Sequence, residues 1–100
     1  MKQIHNELTE RFFQAILNLE SIEECINFFE DVCTIKEIQD MSQRLEVAYL
    51  LNNKKSYQEV LAKTGVSTAT ISRVNKCLNY GTGGYKEALD KLPEREAEQK

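Results

Sequence analysis

The stretch SYQEVLAKTGVSTATISRVNKCLN, residues 56–79, decides the fold. Ser56 opens an S-x-x-E box with Glu59, in which the hydroxyl takes a free first-turn N–H and the carboxylate reaches back to the cap. The short helix from Tyr57 presents Val60 and Leu61 inward and stops at Thr64-Gly65. A glycine can adopt the left-handed conformation that closes a helix end. Val66 plugs the turn, and Ser67 or Thr68 caps a second helix running to about Asn79. Ile71 and Val74 point back at the first helix, with Leu78 one turn further on. The remaining positions of the second helix, Thr68, Ala69, Ser72, Arg73 and Lys76, are small, polar or basic. Two helices joined through a glycine turn, locked by an inward apolar pair and carrying a small basic outer face, read as a helix-turn-helix whose second helix enters the DNA major groove.

Outward from this motif the chain reads as helices with short connections, an all-α fold of about six short helices. Ile4, Leu8, Phe12, Ala15, Ile16 and Leu19 recur at steps of three and four, one helical stripe over residues 4–19, widened by Phe13 and Leu17. Ser21 with Glu24, and Thr34 with Glu37, repeat the capping-box pattern at the starts of a second and a third helix. The second is apolar over more than one face: Ile22, Cys25, Ile26, Phe28, Phe29, Val32 and Cys33. The third carries Ile35, Ile38, Met41, Leu45, Ala48, Tyr49 and Leu51 to about Asn52, and the polar run Asn52-Asn53-Lys54-Lys55 leaves it. Tyr80 to Gly84 forms a glycine-rich turn, a last helix spans about Tyr85 to Leu92, and residues 93–100 form a charged tail expected to fray from Glu94 onward. With 100 residues, 41% hydrophobic and 29% charged, the chain fits one globular domain, residues 1–92, with dimerising helices at about 4–33 and the helix-turn-helix at about 56–79.

The overall charge of −3 hides a division. Residues 1–33 carry two basic and seven acidic side chains, a net −5, whereas residues 54–76 carry five basic against one acidic, a net +4. A concentrated basic stretch on an otherwise acidic chain fits a polyanionic partner. Within it Arg73, Lys76, Lys63 and Lys55 are placed to neutralise phosphates of double-stranded DNA. Ser67, Thr68, Ala69 and Ser72 are placed near bases at the start of the second helix, and Gln58 is placed for a backbone or base contact. The rival reading is a protein–protein interaction module. It would call for aromatic or large apolar anchors on the outer face of residues 67–76, and that face has none.

The run CTIKEIQDMSQRLEVAYLLNNKKSYQEVLAKTGVSTATISRVNKCLNY, residues 33–80, resembles the bacterial Trp repressor family, above all at Thr34-Ile35-Lys36-Glu37, at Arg44, and from Gly65 through Arg73. It is most similar to the YerC/YecD-type branch of that family. The resemblance implies six helices per chain in an intertwined homodimer whose N-terminal helices form the interface, and a DNA-binding transcription regulator, a repressor, acting through its helix-turn-helix. The residues themselves also favour a dimer. The first 33 residues hold all four Phe together with a dense aliphatic set, more than one small chain can cover. Two-fold symmetry also matches palindromic operators. The resemblance further places Thr34, Arg44 and Arg73 at the positions that surround tryptophan in amino-acid-responsive family members. Those members have glycine at the position of Val74, whose side chain here takes the space a ligand would need, so a small-molecule corepressor is not expected.

Other chemistry finds little support. His5, the single histidine, has no nucleophile–carboxylate arrangement around it, and the acidic pairs Glu23-Glu24 and Glu30-Asp31 read as solvated helix faces. No phosphate loop or metal-ligand spacing occurs, so the expectation is a non-enzyme without cofactor or metal. Cys25, Cys33 and Cys77 are odd in number and form no CxxC. They read as reduced thiols of a cytoplasmic protein, with Cys33 and Cys77 serving as small buried hydrophobes. No apolar run approaches a membrane span, mean hydropathy is −0.51, and no signal peptide is read at the N-terminus.

Overall fold

A computed structural model describes residues 5–95 of the chain, and these form six α helices: α1 (Glu7–Leu17), α2 (Ile22–Val32), α3 (Ile35–Asn52), α4 (Tyr57–Thr64), α5 (Thr68–Tyr80) and α6 (Gly84–Lys91). The chain divides into two compact units, Met1–Ile38 and Gln39–Lys100.

In the first unit, α1 starts later than the apolar stripe predicts. Asn6 is its cap: the Asn6 side chain accepts the Thr9 N–H at 2.9 Å, and Thr9 Oγ1 accepts the Asn6 N–H at 3.2 Å. Asparagine bonds to nearby backbone in non-helical conformations, so it terminates a helix where periodicity alone would extend it. Ile4, the first residue of the expected stripe, lies outside the described residues. Leu19 falls beyond α1, in the connection to α2. The Ser21 cap forms as expected, with its hydroxyl accepting the Glu24 N–H at 3.0 Å. The Glu24 carboxylate, however, accepts from the Glu20 N–H at 3.0 Å rather than from Ser21. At α3 both halves of the Thr34–Glu37 box are present, with Glu37 Oε1 accepting the Thr34 N–H at 2.8 Å and Thr34 Oγ1 accepting the Glu37 N–H at 3.0 Å.

Phenylalanines join α1 to α2. Phe12 and Phe28 lie 6.0 Å apart between ring centroids, flanked by edge-on contacts of Phe12 with Phe13 at 5.5 Å and of Phe28 with Phe29 at 5.3 Å. Edge-on and tilted rings satisfy the quadrupole preference of aromatic pairs. Yet neither helix contains a buried residue, and Leu8 and Ile22 are 82% and 80% exposed.

The second unit holds the core. Val47, Ala48 and Leu50 of α3 meet Val60 of α4 and Ile71 and Val74 of α5, all buried, with Tyr49, Leu51, Val66, Tyr85 and Leu89 packed around them. Helix α3 ends in a Schellman turn: the Lys54 N–H reaches the Leu51 carbonyl at 3.0 Å and the Lys55 N–H reaches the Leu50 carbonyl at 3.1 Å. The left-handed residue of this turn is a lysine, Lys54, at φ 68°. Helix α6 begins after Gly83, at φ 92°, one residue earlier than the sequence predicts, and ends before Leu92. Beyond it Arg95, the last described residue of the charged tail, has partners in the fold. Arg95 makes a bidentate ion pair with Glu46 at 2.8 and 2.9 Å and lies 3.7 Å above the Tyr49 ring centroid. The guanidinium fork matches the carboxylate and stacks on the aromatic face, a contact that composition alone does not reveal. Residues 96–100 lie outside the described residues.

A left-handed conformation costs a non-glycine residue roughly 1–2 kcal/mol, against which glycine loses more chain entropy on folding. Lys54→Gly should therefore raise stability by about 1 kcal/mol. The check is the urea unfolding midpoint, which should move upward with an unchanged slope.

Candidate nucleic-acid interface

Helix α4 is set at both ends by its own sequence. At the start the full capping box forms, with Glu59 Oε1 accepting the Ser56 N–H at 2.8 Å and Ser56 Oγ accepting the Glu59 N–H at 3.1 Å. That backbone hydrogen bond from Ser56 holds the Glu59 carboxyl below its ordinary value, helped by the positive charges of Lys55 and Lys63 and opposed by partial desolvation. At the far end Gly65 takes the left-handed conformation, φ 73°, and its N–H closes onto the Leu61 carbonyl at 2.9 Å. Thr64 braces the turn from inside: its hydroxyl donates to the Val60 carbonyl at 2.7 Å and accepts the Val66 N–H at 3.4 Å. Val66 is half-buried against the core, as a plug should be. Ser67, rather than Thr68, caps α5 by accepting the Thr70 N–H at 3.1 Å.

Ile71, Val74 and Leu78 form the buried stripe of α5. Thr68, Ala69, Ser72, Arg73 and Lys76 are all exposed, as is the cap Ser67. Helical register puts Ala69, Ser72, Arg73 and Lys76 on the side away from the stripe, since each residue turns the helix by about 100°. Lys63 and Gln58 of α4 are exposed, and Lys55, just before it, is half-buried. The described residues contain no His, Cys, Asp or Glu group able to hold a metal ion, and no described helix is long and apolar enough to cross a membrane.

Two sequence-derived assignments need correction. Leu61 does not face inward with Val60: it is 39% exposed, whereas Val60 is fully buried. In a helix the partner of a buried residue is three or four positions away, and the half-buried Thr64 occupies that place, turning Leu61 outward. Cys77 is exposed, because it lies on the flank of the Ile71–Val74–Leu78 stripe, and Cys33 is only half-buried.

The residues expected around a ligand are Thr34, Arg44 and Arg73. Thr34 belongs to the first unit and its hydroxyl is used by the α3 cap, while Arg44, half-buried, and Arg73, exposed, belong to the second. Val74 is 1% exposed within the core cluster, as its apolar side chain at a helix-pair crossing demands. Sequence reasoning passed over Tyr57 and Tyr80, both exposed. For Tyr80 the signal was available in its three-and-four spacing from Lys76 and Arg73.

The fold and this surface define an all-helical protein built on a helix-turn-helix. Residues 7–93 match the family model described as Trp repressor protein, and the chain belongs to the Trp repressor family, a family of regulators. It is 52% identical over 89 residues to the protein YerC of Bacillus subtilis, covering 89% of this chain and 86% of the relative. Solved structures are similar to it as well. One, a TrpR-like protein from Eubacterium eligens, is 48% identical with a TM-score of 0.86, covering 94% of this chain and all, 100%, of the other. The second, from Staphylococcus aureus and described as a candidate Trp repressor, is 42% identical with a TM-score of 0.86, covering 90% of each chain.

The inward and outward places of the two adjacent α4 residues can be separated by truncation. Val60→Ala should lower stability by on the order of 2 kcal/mol through lost burial and a residual cavity. Leu61→Ala should change it by less than about 0.5 kcal/mol. Urea unfolding of the two variants beside the parent chain measures both.

Proposed function

We propose that this protein is a sequence-specific DNA-binding transcription regulator, a repressor, that acts as a homodimer in the cytoplasm, with residues 1–92 working as one helical DNA-binding domain. One observation carries the reading: α5 has a buried apolar stripe on one side and an exposed small and basic face on the other, joined to α4 through a left-handed glycine. Thr68, Ala69 and Ser72 read base edges, with Ser67 at the cap beside them. Arg73, Lys76, Lys63 and Lys55 contact phosphates, and Gln58 contacts the backbone or a base at the start of α4. The exposed face of α5 offers no aromatic or large apolar anchor among residues 67–76, which favours DNA over a protein partner.

The apolar surface of the first unit supports the homodimer. Leu8, Phe13, Leu17, Ile22, Ile26 and Val32 are all exposed, more large apolar side chains than two short helices leave open without a partner to cover them. A second copy covers them and sets two recognition helices to read a palindrome. The burial of Val74 supports a recognition helix held in place by the protein core, without tryptophan or another corepressor.

Selection from random duplex DNA with the purified protein tests the reading. It should return palindromic sites with half-sites roughly 10 base pairs apart, one helical turn. Affinity should fall with salt with a log–log slope on the order of −4 to −7, since each neutralised phosphate contributes about −0.9. An Arg73→Ala/Lys76→Ala double variant that binds every duplex as the parent does contradicts it.

A further inference from the structure

We infer that Tyr80 is a DNA-backbone contact, its phenol donating a hydrogen bond to a phosphate at the wall of the major groove. The inference rests on the DNA-binding reading above and adds to it a residue and a distinct, uncharged kind of contact.

The first observation is exposure. Tyr80 is 84% exposed, the most exposed large side chain of apolar character among the described residues. Among those residues no hydrogen bond, ion pair or ring contact engages its side chain. A tyrosine has an apolar body and a donor tip, and packing in the fold uses neither here.

The second observation is register. Ala69, Arg73, Lys76 and Tyr80 follow one another along α5 at steps of four, three and four. At about 100° per residue these four lie on a single stripe, facing away from buried Ile71, Val74 and Leu78. Tyr80 therefore continues the line of the basic residues, and whatever surface Arg73 and Lys76 approach, Tyr80 approaches too.

The third consideration is length. Tyr80 stands eleven residues after Ala69, about 16 Å along the helix axis. The major groove is about 12 Å wide. When the N-terminal end of α5 reaches base edges, as recognition helices do, its last turn has passed out of the groove. The nearest groups there are sugar and phosphate. A phosphate accepts from a neutral hydroxyl, and the net positive charge of residues 54–76 keeps that wall close.

A neutral donor leaves a signature that a lysine does not. It releases no counterion, so its removal weakens binding without changing the salt slope. Being a backbone contact, it also weakens specific and non-specific duplexes alike. The experiment compares the full-length parent chain with Tyr80→Phe, Tyr80→Ala, Lys76→Ala and Arg73→Ala/Lys76→Ala. The probes are a mixed-sequence duplex of roughly 30 base pairs, about three helical turns, and the duplex returned by selection, over a salt series. Tyr80→Phe should lose about tenfold in affinity on both probes with an unchanged slope. Lys76→Ala should make the slope shallower by about one per phosphate freed. Tyr80 variants that bind as the parent does, while the double variant loses binding, overturn the Tyr80 contact and leave the DNA reading standing. Normal binding by Tyr80→Phe with weak binding by Tyr80→Ala also overturns it, since the ring and not the hydroxyl would then be in use. If the parent itself binds neither duplex, the DNA reading fails with it. Because the side chain is exposed, all Tyr80 variants should keep the helical circular dichroism of the parent, which separates lost binding from lost folding.

Discussion

The contact of Val74 and Ile71 on α5 with Val60 on α4, seated on Val47, Ala48 and Leu50 of α3, fixes where everything on the outer face of α5 points. A helix has one rotational degree of freedom about its axis, and burying Ile71, Val74 and Leu78 uses it. Once those side chains are out of water, Ser72, Arg73 and Lys76 have no other direction than outward. The left-handed Gly65 and the Ser67 cap shape the turn, but the burial sets the angle. Close-packed interiors do not accept extra heavy atoms without strain of about 1–3 kcal/mol. A ligand wedged beside Val74, which is 1% exposed, would meet that cost, and this supports the proposal that α5 is held without one.

The chain pairs two unequal units. The second has a buried core and braces its edges, down to Arg95 clamped between Glu46 and Tyr49. The first has a cluster of phenylalanine rings and no buried residue in α1 or α2. Its charge is also opposite in sign to that of the basic stretch. The proposed division of labour follows from these two properties: acidic, apolar helices repel DNA and attract a second copy, while the basic, packed helices meet the duplex.

Much of this was legible in the sequence for local reasons. Ser56, Glu59, Gly65 and Ser67 act within a few residues of themselves, and so their caps and turns were readable from spacing. The stripe Ile71–Val74–Leu78 was readable because α5 is long enough for its period to show. Leu61 was misread because an eight-residue helix offers too few turns to tell one apolar neighbour from the next, and the polar Thr64 took the inward place. Asn6 was missed because its cap runs through Thr9 instead of an acidic partner. The left-handed turn at Lys54 carries no glycine to announce it. The Arg95–Glu46 pair joins residues 49 positions apart, and no local pattern encodes such a partnership.

In the proposed function α5 is held by packed side chains and presents its outer face without a small molecule. Affinity for the selected duplex, measured with and without saturating L-tryptophan, tests it most directly. The dissociation constant should be the same in both conditions, with no heat of tryptophan binding in calorimetry. A tightening of about tenfold or more on adding tryptophan, equivalent to roughly 1.4 kcal/mol, would contradict it and return the helix to ligand control.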